Sequence, residues 1–332
     1  MEQRALEYEV THMPQPPKKL TRPRPASNEA ANGEITWEEA VERFLAEGRR
    51  MNLSTATLEN YRSYLTGLRM RTFLADQGIA GPKELTADRL RQLEGELFEI
   101  ELKPGTVATY HRVLKNFAGF CIERGYGAGS EVLKVRGPKQ PQVEPDTFSP
   151  AEERKMLAAL KERPRDRMMF QFMLATGVRL SEACAVTVDD IVESPDGAYV
   201  RVRQGKGRKD RIVPLDTPGN QLSAELGRYI DRVRPTKTNA RYLFLTTRRE
   251  GRDYAPLTAH GVQVMCRRLG HELGIHIHPH KFRHTFATRA LSAGVNVMAL
   301  QRALGHTTLA MVSRYVHYQK DDLLRAWKER RD

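Results

Sequence analysis

The amino-acid sequence predicts a mainly α protein with a small β-hairpin or sheet, an α+β class, folded as two domains. Its 332 residues correspond to about two domains at roughly 150 residues each. Apolar residues recur at the i, i+3, i+4, i+7 spacing of helix faces through most of the chain, and two short Val- and Ile-rich runs read as strands. Residues 136–148, RGPKQPQVEPDTF, hold three prolines and no apolar repeat, the composition of an extended, fairly stiff linker. That segment separates a helical domain over 34–135 from a second domain over 149–332.

Residues 1–33 combine Pro14, Pro16, Pro17, Pro23 and Pro25 with Lys18, Lys19, Arg22 and Arg24 and show no apolar period, which predicts a disordered N-terminal tail. Thr36 and Glu39 then make a capping box, and Trp37, Ala40, Val41, Phe44 and Leu45 follow a helix face. Further helices are expected where Ser54 precedes Leu58, Tyr61, Leu65 and Leu68, and where Thr86 precedes Leu90, Leu93 and Leu97. Another follows Gly105, with Val107, Tyr110, Leu114, Phe117 and Cys121 in period and Gly125 closing it. Beyond the linker, Ser149, Pro150 and Glu152 announce a helix by N-cap, first-turn proline and capping-box partner. Met168 to Val178, the most apolar stretch, is interrupted by Gln171 and Thr176 and falls short of the ~18 residues of a membrane span. It reads as a buried core helix. Tyr199–Arg203 and Arg211–Leu215 flank a GKGRKD turn and read as a hairpin, and from Leu257 the pattern is helical again.

Lys plus Arg number 54 against 41 for Asp plus Glu, a formal charge of +13, so a polyanion is the first partner to expect. With 40% hydrophobic residues and a mean hydropathy of −0.57, the composition is that of a soluble globular protein with no membrane association. Cys121, Cys184 and Cys266 are odd in number and far apart, so no disulfide framework or CxxC pair follows. The opening MEQRALEYEV carries three glutamates and no apolar core, unlike a secretory signal. A cytoplasmic location is expected.

The informative feature is an ordered series of basic residues and one tyrosine: Arg179 in ATGVRLSEAC, Lys206 in GKGRKD, His280 and Arg283 in HPHKFRHTFAT, His306 in LGHTT and Tyr315 in SRYVH. Its flanks are Gly177 just before Arg179, Leu-Ser-Glu after it, Leu-Gly before His306, and the placing of Tyr315 nine residues beyond His306. The series resembles the tyrosine recombinases, the phage-integrase and Xer family, whose active site is an Arg, Lys, His-x-x-Arg, His, Tyr set. The resemblance runs from about residue 36 to the C-terminus. A single HxxR would be weak; six positions in order with their flanks are highly specific.

The chemistry explains the residue types. In attack on a phosphodiester the non-bridging oxygens gain charge, and the guanidinium forks of Arg179 and Arg283 match them bidentately. His306 adds a hydrogen bond. A tyrosine with an unperturbed pKa of about 10 is mostly protonated at neutral pH, and the resemblance implies that His280 is its acid/base partner. Lys206, between Gly205 and Gly207 at a hairpin tip, is placed to protonate the expelled 5′-oxygen. Attack by Tyr315 would leave a 3′-phosphotyrosine that keeps the bond energy for religation, so neither ATP nor a metal cofactor is expected. Glu182 resembles the family's supporting carboxylate that orients the arginine or a histidine.

The resemblance further implies a two-domain DNA clamp: the first domain is the helical, SAM-like core-binding domain, opposed to the catalytic domain across double-stranded DNA with inverted half-sites. Arg49, Arg50, Arg62, Lys103, His111, Arg112, Lys115 and Arg208 are candidate phosphate contacts, each of which would look the same as a solvated surface residue. Function is expected to be site-specific recombination, in integration, excision or dimer resolution. A type IB topoisomerase-like relaxing enzyme and a catalytically silent DNA-binding regulator are the alternatives. Residues 316–332 place Leu323, Leu324 and Trp327 among charges, a short amphipathic helix that must dock on something. The resemblance implies docking on a neighbour in a homo-tetramer on two duplexes, with accessory DNA-bending proteins left open. His276, His278, His280 and His284 invite a zinc reading through the i, i+4 pair His280 and His284. The intervening Lys281, Phe282 and Arg283 lack the HExxH glutamate and repel a cation, so no metal is expected there.

Overall fold

The structure is a computed structural model that describes residues 35–139, 145–203, 210–217, 220–236, 238–251 and 253–305. The chain divides into two compact units, Met1–Gln142 and Val143–Asp332, with the division inside the proline-bearing segment. The architecture is mainly helical with small sheets. The tail expected over 1–33 lies outside the described residues.

In the first unit, α1 (Trp37–Arg50) is capped by Thr36, whose Oγ1 accepts the Glu39 N–H at 3.2 Å. The Glu39 carboxylate turns instead to Arg43, at 2.6 Å. Ser54 caps α2 (Thr55–Thr66), but the helix expected to run through Leu68 stops at Gly67. A Cβ there would lie 2.4 Å from the Ser63 carbonyl oxygen, and the extended ψ of 163° redirects the chain into α3 (Leu68–Asp76). Leu68 consequently opens a new helix and is 54% exposed. Thr86 caps α4 (Ala87–Glu99), and Pro104 supplies the first turn of α5 (Pro104–Glu123). Gly125, at φ +72°, ends it as expected. The core gathers Trp37, Leu45, Leu65, Leu90, Leu114 and Phe117; the buried Trp37 indole N–H donates to the Leu65 carbonyl at 3.0 Å.

The second unit opens with α6 (Pro150–Ala159), where Ser149 and Glu152 cap each other reciprocally. The segment 136–148 is not linker to its end, because Phe148 is buried and its N–H donates to Thr285 Oγ1 at 2.8 Å. α7 (Pro164–Thr176) is the expected core helix, with Met169, Phe170, Phe172 and Met173 fully buried. After α8 (Leu180–Ala185), the hairpin of β2 (Tyr199–Val202) and β3 (Arg211–Pro214) pairs antiparallel, Val200 opposite Val213. β1 (Ile191–Val192) adds a third strand beside β2. β4 (Asp216–Thr217) pairs with β5 (Asn220–Gln221) ahead of α9 (Leu222–Arg232). β6 (Leu245–Glu250) and β7 (Asp253–Pro256) form a further hairpin that sequence periodicity does not show, since LTTRRE carries polar residues on both faces. α10 (Ala259–Leu273), α11 (Pro279–Ser292) and α12 (Val297–Leu304) follow. Among the described residues no helix is long and apolar enough to cross a membrane.

Candidate active site

The site is assembled at the ends of helices in the second unit. α7 terminates at Gly177, which takes the left-handed conformation at φ +58° and lets the chain reverse into α8. A Cβ there would lie 2.3 Å from the Phe286 ring, so the position requires glycine twice over. Two residues on, Arg179 is the N-cap of α8. The first turn of that helix returns Glu182 beneath it: the Arg179 N–H donates to Glu182 Oε2 at 2.7 Å and Nη1 to Oε1 at 2.9 Å.

The second arginine arrives from α11. Arg283 is buried, with Nη1 donating to the Gly177 carbonyl at 2.7 Å and Nη2 to the Leu304 carbonyl at 2.6 Å. Arg179 Nη2 donates to the next carbonyl, that of Gly305, at 3.1 Å. The two guanidiniums therefore hang on consecutive carbonyls at the C-terminal end of α12, directly ahead of His306. Gly305 is left-handed at φ +63°, the usual way to close a helix and free its last carbonyls. The glycines that flank Arg179 and His306 in sequence thus present the oxygens that aim both arginines.

Sequence reasoning places Arg211 at the start of a hairpin strand and gives it no part in the site. The structure makes it the hub of the site: Nη1 and Nη2 donate to Glu182 Oε1 and Oε2 at 2.9 and 2.7 Å, and Nε donates to the Ala303 carbonyl at 2.7 Å. Its side chain is only 9% exposed. Strand alternation carries the missing signal. Val213 and Leu215 are fully buried, so the period of two places Arg211 on the inward face and Ile212 outward, where it is 59% exposed. Burial pulls the Glu182 carboxyl up, but hydrogen bonds from Arg211 and from the Arg179 backbone outweigh it and hold the group below the usual carboxylate range. Glu182 is an anion that binds two arginines and links the hairpin base to α8.

His280, in the first turn of α11 and still open to solvent on one side, is pushed below the ordinary histidine value by partial desolvation and then by the positive charges of Arg283 and Arg179. A neutral imidazole beside two guanidiniums is the form that accepts a proton. Its ring lies 6.2 Å from that of His284, centroid to centroid. Lys206 and Arg208 fall within 204–209, and His306 and Tyr315 beyond residue 305; all four lie outside the described residues. The three cysteine thiols are raised by burial, Cys121 and Cys266 to about 12 and Cys184 to about 11. They stay protonated and are not nucleophiles.

The candidate DNA contacts of the first unit separate by geometry. His111 is a correction: it is buried, with Nδ1 2.5 Å from Glu94 Oε1 and its ring under Gly137. Lys115 Nζ donates to the Val135 carbonyl at 3.0 Å and likewise spends its charge inside the unit. Arg50 and Arg62 pair on the surface with Glu47 and Glu42. Arg49, Lys103 and Arg112 are exposed.

A sequence model described as the phage integrase family matches residues 147–322, more than half of the chain and the whole of the site just described. The chain belongs to the phage integrase family. It is a tyrosine recombinase, a site-specific enzyme that breaks and rejoins DNA. Among its relatives, tyrosine recombinase XerC of Bacillus pumilus is 30% identical over 286 residues, 83% of this chain and 90% of that one. Tyrosine recombinase XerA of Pyrococcus furiosus is 29% identical over 277 residues, covering 80% and 91%. The recombinase shares its fold with a lambda integrase tetramer bound to a Holliday junction, at TM-score 0.68 and 20% identity, over 86% of this chain and 78% of that one. A Tn1549 transposon integrase in complex with a circular intermediate DNA gives TM-score 0.67 at 21% identity, over 90% and 99%. Neither the relaxing-enzyme nor the silent-regulator alternative is favoured.

Proposed function

We propose that this recombinase cleaves one DNA strand by attack of the Tyr315 hydroxyl on the scissile phosphorus, forming a 3′-phosphotyrosine and releasing a 5′-hydroxyl. Arg179 and Arg283 clamp the two non-bridging oxygens as charge develops on them, with His306 adding a third donor. His280 takes the phenolic proton, and Lys206 gives one to the departing 5′-oxygen. Religation runs the same steps backwards with the 5′-hydroxyl of a partner strand as nucleophile. The positive charge that a metal would supply elsewhere comes here from the two arginines and Lys206, so the reaction proceeds without metal or ATP.

The observation that carries this reading is the anchoring of both arginines on the consecutive carbonyls of Leu304 and Gly305, close enough to His280 that their charges help to lower its pKa. The assembly is a homo-tetramer on two duplexes with inverted half-sites, joined through the C-terminal segment, and the enzyme works in the cytoplasm with or without accessory DNA-bending proteins. Arg49, Lys103 and Arg112 of the core-binding unit are the phosphate contacts that its exposed surface supports. The test uses a duplex carrying the core site, selected from a random library, with a nick placed one or two bases from the scissile phosphate. In EDTA the protein should become covalently joined to the 3′ side of the break and leave a free 5′-hydroxyl. A strict requirement for an added divalent ion, or a 5′-linked adduct, contradicts the mechanism.

A further inference from the structure

We propose that Asp146, His276 and His278 form a binding site for a transition-metal dication of the zinc type, separate from the catalytic set. Asp146 Oδ2 lies 3.2 Å from His276 Nδ1 and 3.4 Å from His278 Nε2, and the three donor atoms all lie within 4.8 Å of one another. Metal–ligand bonds of about 2.0–2.2 Å in a tetrahedron place neighbouring donors roughly 3.4 Å apart. Two edges of the donor triangle therefore already have the length a zinc ion imposes.

The chain produces this arrangement for a local reason. His276 and His278 flank Ile277 in extended chain entering α11, where alternate residues share a side. Ile277 is buried on one side, at 5% exposure, which turns both imidazoles to the other, their centroids 4.8 Å apart. Asp146 comes from the extended segment ahead of α6. Its second oxygen, Oδ1, accepts from Lys281 Nζ at 3.1 Å, and Lys281 is held in turn by Glu152 at 3.5 Å. The lysine fixes the carboxylate as a supporting hydrogen bond does in metal sites and leaves Oδ2 to the ion. Asp146, Glu152 and Lys281 sum to one negative charge, so the pocket attracts a cation. His276 and Asp146 are exposed, which admits water as the fourth ligand. Two imidazoles and one carboxylate are the donor set that suits Zn²⁺ rather than Mg²⁺ or Ca²⁺.

A bound ion would tie the segment that opens the second unit to the N-terminus of α11, two residues ahead of His280. It is a structural tie and supplies no step of the reaction.

The experiment is titration of the EDTA-stripped and dialysed full-length protein with ZnCl₂ by calorimetry, and with CoCl₂ by visible absorption. The wild type should show one site with the absorption bands of four-coordinate Co²⁺ and a melting temperature that rises with added Zn²⁺. Asp146→Asn, which keeps the shape and an acceptor for Lys281, and His276→Ala should each weaken Zn²⁺ binding roughly tenfold or more and abolish the Co²⁺ bands. Both variants should keep the wild-type melting temperature in EDTA within a few degrees. Zn²⁺ affinity and Co²⁺ spectra unchanged in the two variants, or absence of a one-to-one binding event in the wild type, would overturn the proposal and leave the cluster as plain Asp–His hydrogen bonds.

Discussion

Arg211 lies behind the residues proposed to meet the scissile phosphate. Its guanidinium neutralises Glu182 through both carboxylate oxygens, and Glu182 in turn positions Arg179. Arg211→Gln leaves a buried carboxylate with a single cation, a change that costs about 3–5 kcal/mol when a buried pair loses one partner. Thermal unfolding should register that loss, and cleavage should fall further than DNA binding does. Arg211→Lys keeps the charge without the fork and should recover stability in part but little of the cleavage rate. Glu182 also sets an acid limit. A carboxylate whose folded pKa is depressed contributes stability that is complete above its unfolded value, about 4.3, and is lost as pH falls through the lower folded value. Unfolding free energy should therefore be insensitive to this group between pH 5 and 7 and drop below about 4, with a shallower acid loss in Glu182→Gln measured by denaturant titration. Arg179, Glu182, His280 and Arg283 were legible because the resemblance names their types and order. Arg211 was not, because a charge in a run of Arg208, Lys209 and Asp210 looks solvated until the strand's alternation is worked backwards from Val213.

At the scale of elements, caps and apolar periods located most helices, because each end leaves donors that Thr36, Ser54, Thr86 and Ser149 satisfy locally. The misreadings have local causes too. The apolar period runs through Gly67, and only the extended backbone there separates α2 from α3. The hairpin of β6 and β7 buries Leu245 at one end while its arginines face solvent, so neither period of two nor an apolar run marks it. Segment 136–148 has a linker's prolines, yet Phe148 packs 5.0 Å from Phe282 in the second core. Gly177 joins elements most directly, and a pair of substitutions separates its two demands. Gly78 has φ +63° with nothing near its Cβ position, whereas Gly177 has φ +58° with the Phe286 ring at 2.3 Å. Gly78→Ala should cost only the left-handed penalty of roughly 1–2 kcal/mol. Gly177→Ala should add roughly 1–3 kcal/mol of overpacking and displace the carbonyl that aims Arg283, so its cleavage rate should fall while that of Gly78→Ala stays near wild type.

At the scale of the whole molecule, two units, a charge of +13 and the ordered motif series led to the same class of enzyme. Assembly is the part that neither composition nor a single chain's fold dictates. The apolar residues Leu323, Leu324 and Trp327 of the C-terminal segment supply its testable element. Truncation after Tyr318 should preserve folding of the monomer and binding to one half-site, measured by circular dichroism and gel shift, and should lose cooperative occupancy of paired half-sites and strand exchange. A truncated protein that unfolds would place the segment in its own core, and one that recombines normally would make it dispensable. The central claim, that the site built on Arg179, Arg283 and His280 serves a tyrosine nucleophile at position 315, is tested most directly by trapping the covalent complex on a nicked core-site duplex with two variants side by side. Tyr315→Phe should form no adduct while binding the duplex with wild-type affinity, and Tyr318→Phe should form it at a rate close to wild type. Adduct formation by Tyr315→Phe, with its loss in Tyr318→Phe, would contradict the account.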